Sequence, residues 1–147
     1  MRASQDIIEA INNRLSVLLP THKPLDYNYL VEKNSFHVND NRYGVSVGDA
    51  TKIDTVTCAF TITQSFNIIL TANYSSVDQD DKALINSIFK LEDYITMILS
   101  DLYKNKIGLP NLILQVNPIG IDSPLIIESS QLVILSSTIG IQYRYAI

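Results

Sequence analysis

The sequence contains one cysteine, no tryptophan and few basic residues. A single cysteine, Cys58, excludes a disulfide framework, and 147 residues suffice to bury a core without one. Fifteen Asp and Glu against 11 Lys and Arg disfavour wrapping nucleic acid by phosphate neutralisation. A hydrophobic content of 46% excludes a disordered chain. We therefore expect one folded domain spanning residues 1–147, made in a reducing cytoplasm.

Long apolar runs are also missing. The longest uncharged stretch, residues 55–77, is rich in Thr, Ser, Asn and Gln, whereas a spanning helix needs roughly 20 mostly apolar residues. Asp6 and Glu9 interrupt the first apolar segment, which argues against a signal peptide. We expect no membrane segment.

Two segments have helical periodicity. The first, about Ser4 to Leu19, has Ser4 as its expected N-cap and stops at Pro20. The second, about Asp78 to Asn105, ends in a basic turn followed by Gly108 as a C-terminal cap. Its apolar residues recur with 4-3-4-3-4 spacing and predict one buried seam, formed by Leu84, Ile88, Leu91, Ile95, Ile98 and Leu102.

Alternating apolar residues predict strands in the rest of the chain. Residues 25–53 are expected to form a protruding hairpin or long loop, with a short strand from Tyr43 to Gly48. One long bent strand is expected from Val56 to Tyr74, with Cys58 on its buried face and a Thr-rich face left open. Further strands are expected at 111–117, 125–128 and 131–146.

These elements predict an α+β fold. Each helix has one apolar face, and the sheet has one clearly apolar face. Burial is most economical when both helices pack on that face, which gives a two-layer sandwich with a mostly antiparallel or mixed sheet. The Thr-rich face would then meet solvent or another subunit.

The sequence offers no compelling catalytic or metal-binding pattern. Three acids at 78, 80 and 81 form the densest carboxylate cluster, but they lack the Gly turn and distal Glu of a calcium loop and are expected to cap a helix. His22 and His37 lie in loop-like contexts without a recognisable nucleophile motif. Gly44 and Gly48 are not followed by the Lys-Ser/Thr pair of a phosphate loop. We therefore predict no enzymatic activity, cofactor or bound metal.

Several phrases in this order resemble the tail terminator, or tail completion, proteins of tailed bacteriophages. They are RYGVSVG from Arg42, TQSFNIILT from Thr63, the acidic opening of the long helix, KIGLP from Lys106, and LVILSSTIGIQYRY from Leu132. The segments are spread along the chain, and the resemblance extends over nearly its whole length. The resemblance implies a small α/β subunit of a homo-oligomeric ring, usually a hexamer, in the virion tail or neck.

Such a ring would cap the tail tube, end its polymerisation and join the tail to the head. Its expected partners are further copies of itself, the tail tube protein and the head-completion (stopper) protein, with DNA passing through the channel without sequence-specific binding. Acidic residues lining the channel would repel the DNA phosphates. The residues expected to contact another subunit or a partner are Arg42, Tyr43, Thr57, Thr61, Thr63, Tyr143, Arg144 and Tyr145.

Two other interpretations remain open at this point. A head-completion or stopper protein would share the size and the ring assembly. A small cytosolic enzyme or ligand-binding domain would instead require a deep pocket with convergent polar groups. For the cluster of Tyr143, Arg144 and Tyr145, the simplest interpretation is packing on an edge strand.

Overall fold

The computed structural model describes residues 3–25, 41–56, 58–74, 82–109 and 111–146. It contains helices α1 (Ala3–Leu18) and α2 (Lys82–Asn105). The strands are β1 (Lys23–Pro24), β2 (Arg42–Val56), β3 (Ala59–Asn73), β4 (Ile113–Ile121), β5 (Leu125–Ile127) and β6 (Leu132–Ala146). Within these ranges neither helix is long and apolar enough to cross a membrane.

Both predicted helices are present. In α1, Ile7, Ile11 and Leu15 are fully buried, as the apolar spacing predicted. The helix begins at Ala3, so Ser4 lies inside the first turn and is not the residue before it.

In α2 the predicted seam faces the core. Leu91, Ile95, Ile98 and Leu102 are buried, while Leu84 and Ile88 pack against the core from the more open end of the helix. Gly108 has φ +75°, but α2 ends at Asn105 and the first left-handed residue after it is Lys106 with φ 47°. Gly108 therefore lies in the short turn that follows the helix and does not cap it. The acidic residues 78, 80 and 81 lie outside the described residues.

The described strands form one mixed sheet in the order β1-β2-β3-β6-β4, with β5 pairing to β6. Only β1 and β2 are parallel; the other pairs are antiparallel. β6 pairs with β3 from Leu132 opposite Asn73 to Ala146 opposite Ala59. The first half of β6 is buried on both faces, as its apolar sequence predicted.

The strand prediction between Tyr43 and Tyr74 needs two corrections. Residues 42–56 form a full strand of 15 residues, which pairs with β3 and belongs to the sheet, so they are not a protruding loop. The strand expected to start at Val56 starts at Ala59, after a turn in which Cys58 has φ 62° and is exposed. Cys58 is therefore not a core residue. Residues 26–40 of the predicted hairpin region lie outside the described residues.

Both helices pack on the same face of the sheet, which confirms the two-layer α+β sandwich. α1 contacts β2, and α2 lies over β3, β6 and β4. The helix-facing core combines the helical seams with alternating strand residues, among them Val45, Phe66, Ile68, Leu70, Leu135, Ile139 and Ile141. This is the layer that positions every surface described below.

The opposite face is open over one half only. At the end of the sheet near β1, this face carries a second, smaller buried cluster, which consists of Leu25, Ile69, Leu132 and Ile134. Thr71, on the same face, is also buried and accepts a hydrogen bond from the backbone N–H of Arg42 (2.9 Å). The predicted open Thr-rich face is therefore restricted to the half that contains Thr61 and Thr63.

Candidate interaction surface

The sheet extends past the part of it that the helices and β4 cover. β4 pairs with β6 as far as Ile113 opposite Tyr143. The backbone N–H of Arg144 still donates to the carbonyl oxygen of Leu112 at 3.1 Å, whereas Tyr145 and Ala146 pair with β3 alone among the described strands. We call this extension the sheet tip and define it as residues 53–56, 59–61 and 144–146. It is three strands wide, because Thr55, Phe60 and Tyr145 face one another across β2, β3 and β6.

The helix-side face of the sheet tip is apolar. Directly opposed residues of antiparallel strands share a face, so the row of Thr55, Phe60 and Tyr145 lies on the same side as the row of Ile53, Ile62 and Tyr143. Ile62 and Tyr143 belong to the core or pack against it. Ile53 and Tyr145, by contrast, are 61% and 41% exposed.

One row on the other face of the sheet tip is polar. Asp54, Thr61 and Arg144 form this row across the three strands, and Thr63 with Gln142 continues it towards the middle of the sheet. The outermost row on the same face is formed by Val56, Ala59 and Ala146. The charged groups of the tip therefore lie on this face, and its large apolar side chains lie on the helix side.

The eight residues predicted to contact a partner lie in different parts of the structure. Thr61, Thr63 and Arg144 lie on the polar face, and Tyr145 lies on the apolar face of the sheet tip. Arg42 is half-buried, and its Nη1 donates to the carbonyl oxygen of Pro24 at 3.1 Å. Thr57 lies outside the described residues.

Two of the predicted contact residues are core residues. Tyr43 and Tyr143 are each only 5% exposed, which removes them from the surface available to a partner. The Tyr143 hydroxyl donates to Gln64 Oε1 at 2.8 Å, and burial raises the pKa of this tyrosine. The edge-strand interpretation applies only to the end of β6, since Tyr143 itself pairs with strands on both sides.

Sequence reasoning missed Ile53 as a surface residue, because it places Ile53 at the end of a loop. Phe60 lies on the predicted helix-side face and is half-buried. The available signal is the alternation of Ile53 and Thr55 with the charged residues Lys52 and Asp54. It has the period of a strand but is too short to be recognised without the partner strand beside it.

A second apolar surface lies on the flank of α2. Ile85 and Phe89 are exposed, and their spacing of four residues places them on one side of the helix. This flank is on the side away from Asp101, the residue through which α2 pairs with Arg14 of α1. The α2 flank and the sheet tip are thus different surfaces of one chain.

One small pocket lies at the opposite end of the sheet from the tip. It encloses about 90 Å³, and its polar lining residues are His22, Asn41, Asn73, Ser87, Lys90 and Tyr94. This is well below the roughly 300–1,000 Å³ of ordinary small-molecule sites. Across the described ranges, no three His, Cys, Asp or Glu side chains come close enough to hold a metal ion.

No protein-family model matches the sequence, and no curated protein matches it significantly.

Proposed function

We propose that this chain is the subunit of a homo-oligomeric ring that caps the tail tube of a tailed bacteriophage, ends tube polymerisation and joins the tail to the head. The proposal starts from the resemblance of five sequence segments to tail terminator proteins. The two-layer α+β fold is compatible with it. In this proposal the protein works through contacts with neighbouring chains and resides in the virion.

The observation that carries the proposal is the apolar face of the sheet tip. Ile53 and Tyr145 are largely exposed, yet they continue the same face of the sheet that the helices cover elsewhere. A contiguous exposed apolar patch bordered by polar residues is typical of a protein–protein contact. Aromatic residues such as Tyr145 are enriched in such contacts.

The position of the apolar surfaces favours a ring over a symmetric pair. The sheet tip and the α2 flank with Ile85 and Phe89 are separate surfaces. Two different surfaces that bind each other produce a head-to-tail contact, and repeated head-to-tail contacts close into a ring when the rotation between copies permits. A contact of one surface with itself would give a twofold dimer.

The mass of the purified protein tests this proposal. Native mass spectrometry of the full chain is expected to show a closed oligomer, with the hexamer as the leading expectation. Replacing both Ile53→Ser and Tyr145→Ser should shift the population to monomer, because the tip loses its apolar contact area. Val17→Ser is the matched control, since Val17 is 65% exposed on α1 and away from the tip.

Two outcomes would count against the proposal. One is a wild-type protein that stays monomeric at concentrations of tens of micromolar, the regime in which a stable interface of standard size would be saturated. The other is an oligomer whose mass the tip variant leaves unchanged while Val17→Ser disrupts it. Circular dichroism of each variant would show that the fold is kept.

A further inference from the structure

The pocket between the start of β1 and α2 contains a buried histidine with an unsatisfied nitrogen. His22 is 8% exposed, and its Nδ1 has no hydrogen-bond partner among the described residues. Leaving a buried polar atom unpaired is destabilising, and such atoms are uncommon in native proteins. An imidazole nitrogen can donate or accept a hydrogen bond, depending on the tautomer.

The ring of Tyr94 packs against the His22 ring and also lies close to the ammonium group of Lys90. The two rings are edge to face, with centroids 5.4 Å apart and an interplanar angle of 87°. Lys90 Nζ lies 5.9 Å from the centroid of the Tyr94 ring, within the range of a cation–π interaction. The imidazole and the ammonium group therefore lie on the same small wall of the protein.

Among the described residues that line the pocket, the only formal charge at neutral pH is positive. Lys90 is positive, and the other polar groups are the hydroxyls of Ser87 and Tyr94 and the amides of Asn41 and Asn73. None of these lining residues is an acid. Burial, and then the charge of Lys90, lower the pKa of His22, so the site at neutral pH combines one cation with neutral groups that can donate hydrogen bonds.

Size narrows the ligand further. About 90 Å³ is room for several water molecules. A whole nucleotide, cofactor or peptide does not fit in this volume, whereas a single phosphate or carboxylate group does. Oxygen anions of this kind pair well with ammonium groups and N–H donors.

We infer that this pocket binds a small oxyanion, of phosphate or carboxylate size, between Lys90 and His22. Lys90 supplies the charge, and the Asn41, Asn73 and Ser87 side chains supply uncharged donors. His22, whose Nδ1 has no partner among the described residues, supplies a further N–H donor to the anion in the appropriate tautomer. The site is at the other end of the sheet from the tip. Anion binding there does not depend on whether the chain forms the proposed ring.

Nuclear magnetic resonance of the histidine side chains tests the inference. The full chain is titrated at pH 7 with inorganic phosphate and, separately, with sodium acetate, and sodium chloride at equal ionic strength serves as the screening control. A His37→Gln variant identifies which of the two imidazole signals belongs to His22. The expected result is a saturable shift of the His22 signal with at least one oxyanion, and none with chloride.

Matched lysine variants of α2 then locate the charge. Lys90→Gln should weaken the affinity by about tenfold or more, because a charge-assisted contact is lost. Lys104→Gln, an exposed lysine near the other end of the same helix, should change the affinity by less than about twofold. Both lysines are exposed, so neither variant should impair folding.

The pattern of saturation also identifies the ligand class. Saturation with phosphate alone would assign the site to phosphate groups, and saturation with acetate alone would assign it to carboxylates. If the His22 signal moves only as it does in chloride, or if Lys90→Gln binds as tightly as the wild type, the inference is overturned and the pocket holds water only.

Discussion

The hydroxyl of Tyr143 donates a 2.8 Å hydrogen bond to Oε1 of Gln64, across the boundary between β6 and β3. The Nε2 of the same glutamine donates to the backbone carbonyl of Gly48 in β2 at 3.2 Å. Gln64 therefore connects all three long strands at the level where the covered sheet gives way to the sheet tip. The sheet tip thus adjoins a partly buried bridge of polar side chains.

Removing the hydroxyl of Tyr143 should destabilise the fold. Tyr143→Phe leaves Gln64 Oε1 without this donor in a largely buried position, which should lower the free energy of unfolding by about 1–2 kcal/mol. Tyr145→Phe is the matched control, because Tyr145 is two residues along the same strand and 41% exposed. Urea unfolding followed by circular dichroism gives both values. Equal values for the two variants would show that the bridge contributes nothing.

Gly48 should tolerate no side chain. A Cβ at this position would lie 2.2 Å from Ser65 Oγ and 3.0 Å from the Ser65 carbonyl oxygen. The strand register also shifts here, between Val47 and Ala50. We expect Gly48→Ala to lower the free energy of unfolding by about 1–3 kcal/mol, because the Ser65 hydroxyl must rotate away and the Ser65 carbonyl leaves the new methyl group little room.

Gly120→Ala is the control for this effect. It is also a strand glycine, but a Cβ there would meet no atom within 4 Å. Its free energy of unfolding should stay within about 0.5 kcal/mol of the wild type. If Gly120→Ala proved as destabilising as Gly48→Ala, the close approach of β2 to β3 would not be the cause.

The ion pair between the helices should make stability depend on pH. Arg14 Nε and Nη2 donate to the two carboxylate oxygens of Asp101 at 2.6 and 2.7 Å, and these hydrogen bonds lower the pKa of Asp101. The Asp101 carboxyl group therefore loses its proton at a lower pH in the folded protein than in the unfolded chain. This contribution is complete above the unfolded pKa, near 3.9, and disappears as the pH falls through the lower folded value.

Arg14→Met measures that contribution. At pH 7 the variant should be less stable than the wild type, and below about pH 4 the difference should shrink. Asp93→Asn, which removes an exposed carboxylate from the same helix, should not reproduce this convergence. Thermal unfolding of the three proteins between pH 2.5 and 7 provides the comparison. A difference between Arg14→Met and the wild type that stays constant over the whole range would rule out the ion pair as its source.

Most of the fold could be predicted because its elements carry strong periodicity. The seam from Leu91 to Leu102 and the alternation from Phe66 to Leu70 each determine one face of an element without any knowledge of its neighbours. Two one-sided helices and a one-sided sheet then leave few arrangements besides a two-layer sandwich.

The turn between β2 and β3 could not be predicted for a local reason. Tight turns between strands usually contain Gly or Asn. Cys58 is neither, yet it has φ 62°. The sequence therefore predicts one uninterrupted strand from Val56 onwards. Gly48 is predicted to end the preceding short strand, although it lies at an irregularity inside β2. Both errors followed from reading residue types without the cross-strand partner.

The candidate surface was only partly predictable. Polar side chains such as Thr61 and Thr63 stand out as the solvent side of an amphipathic strand, and the structure places them there. Tyr43 and Tyr143 looked equally suitable for contact, yet both are buried. Whether a tyrosine of a strand is covered depends on where the helices end along the sheet, and that length relation is not encoded in any local pattern.

The most direct test of the proposed function is the length of tail tubes assembled in the presence of this protein. The tail tube protein that the proposal assigns as its partner would be polymerised with the wild-type chain or with the variant carrying Ile53→Ser and Tyr145→Ser, and tube lengths would be measured by electron microscopy. We expect the wild type to bind tube ends and stop elongation, and the tip variant to leave tubes growing as they do without it. Tubes that lengthen equally with and without the wild-type chain would contradict the account.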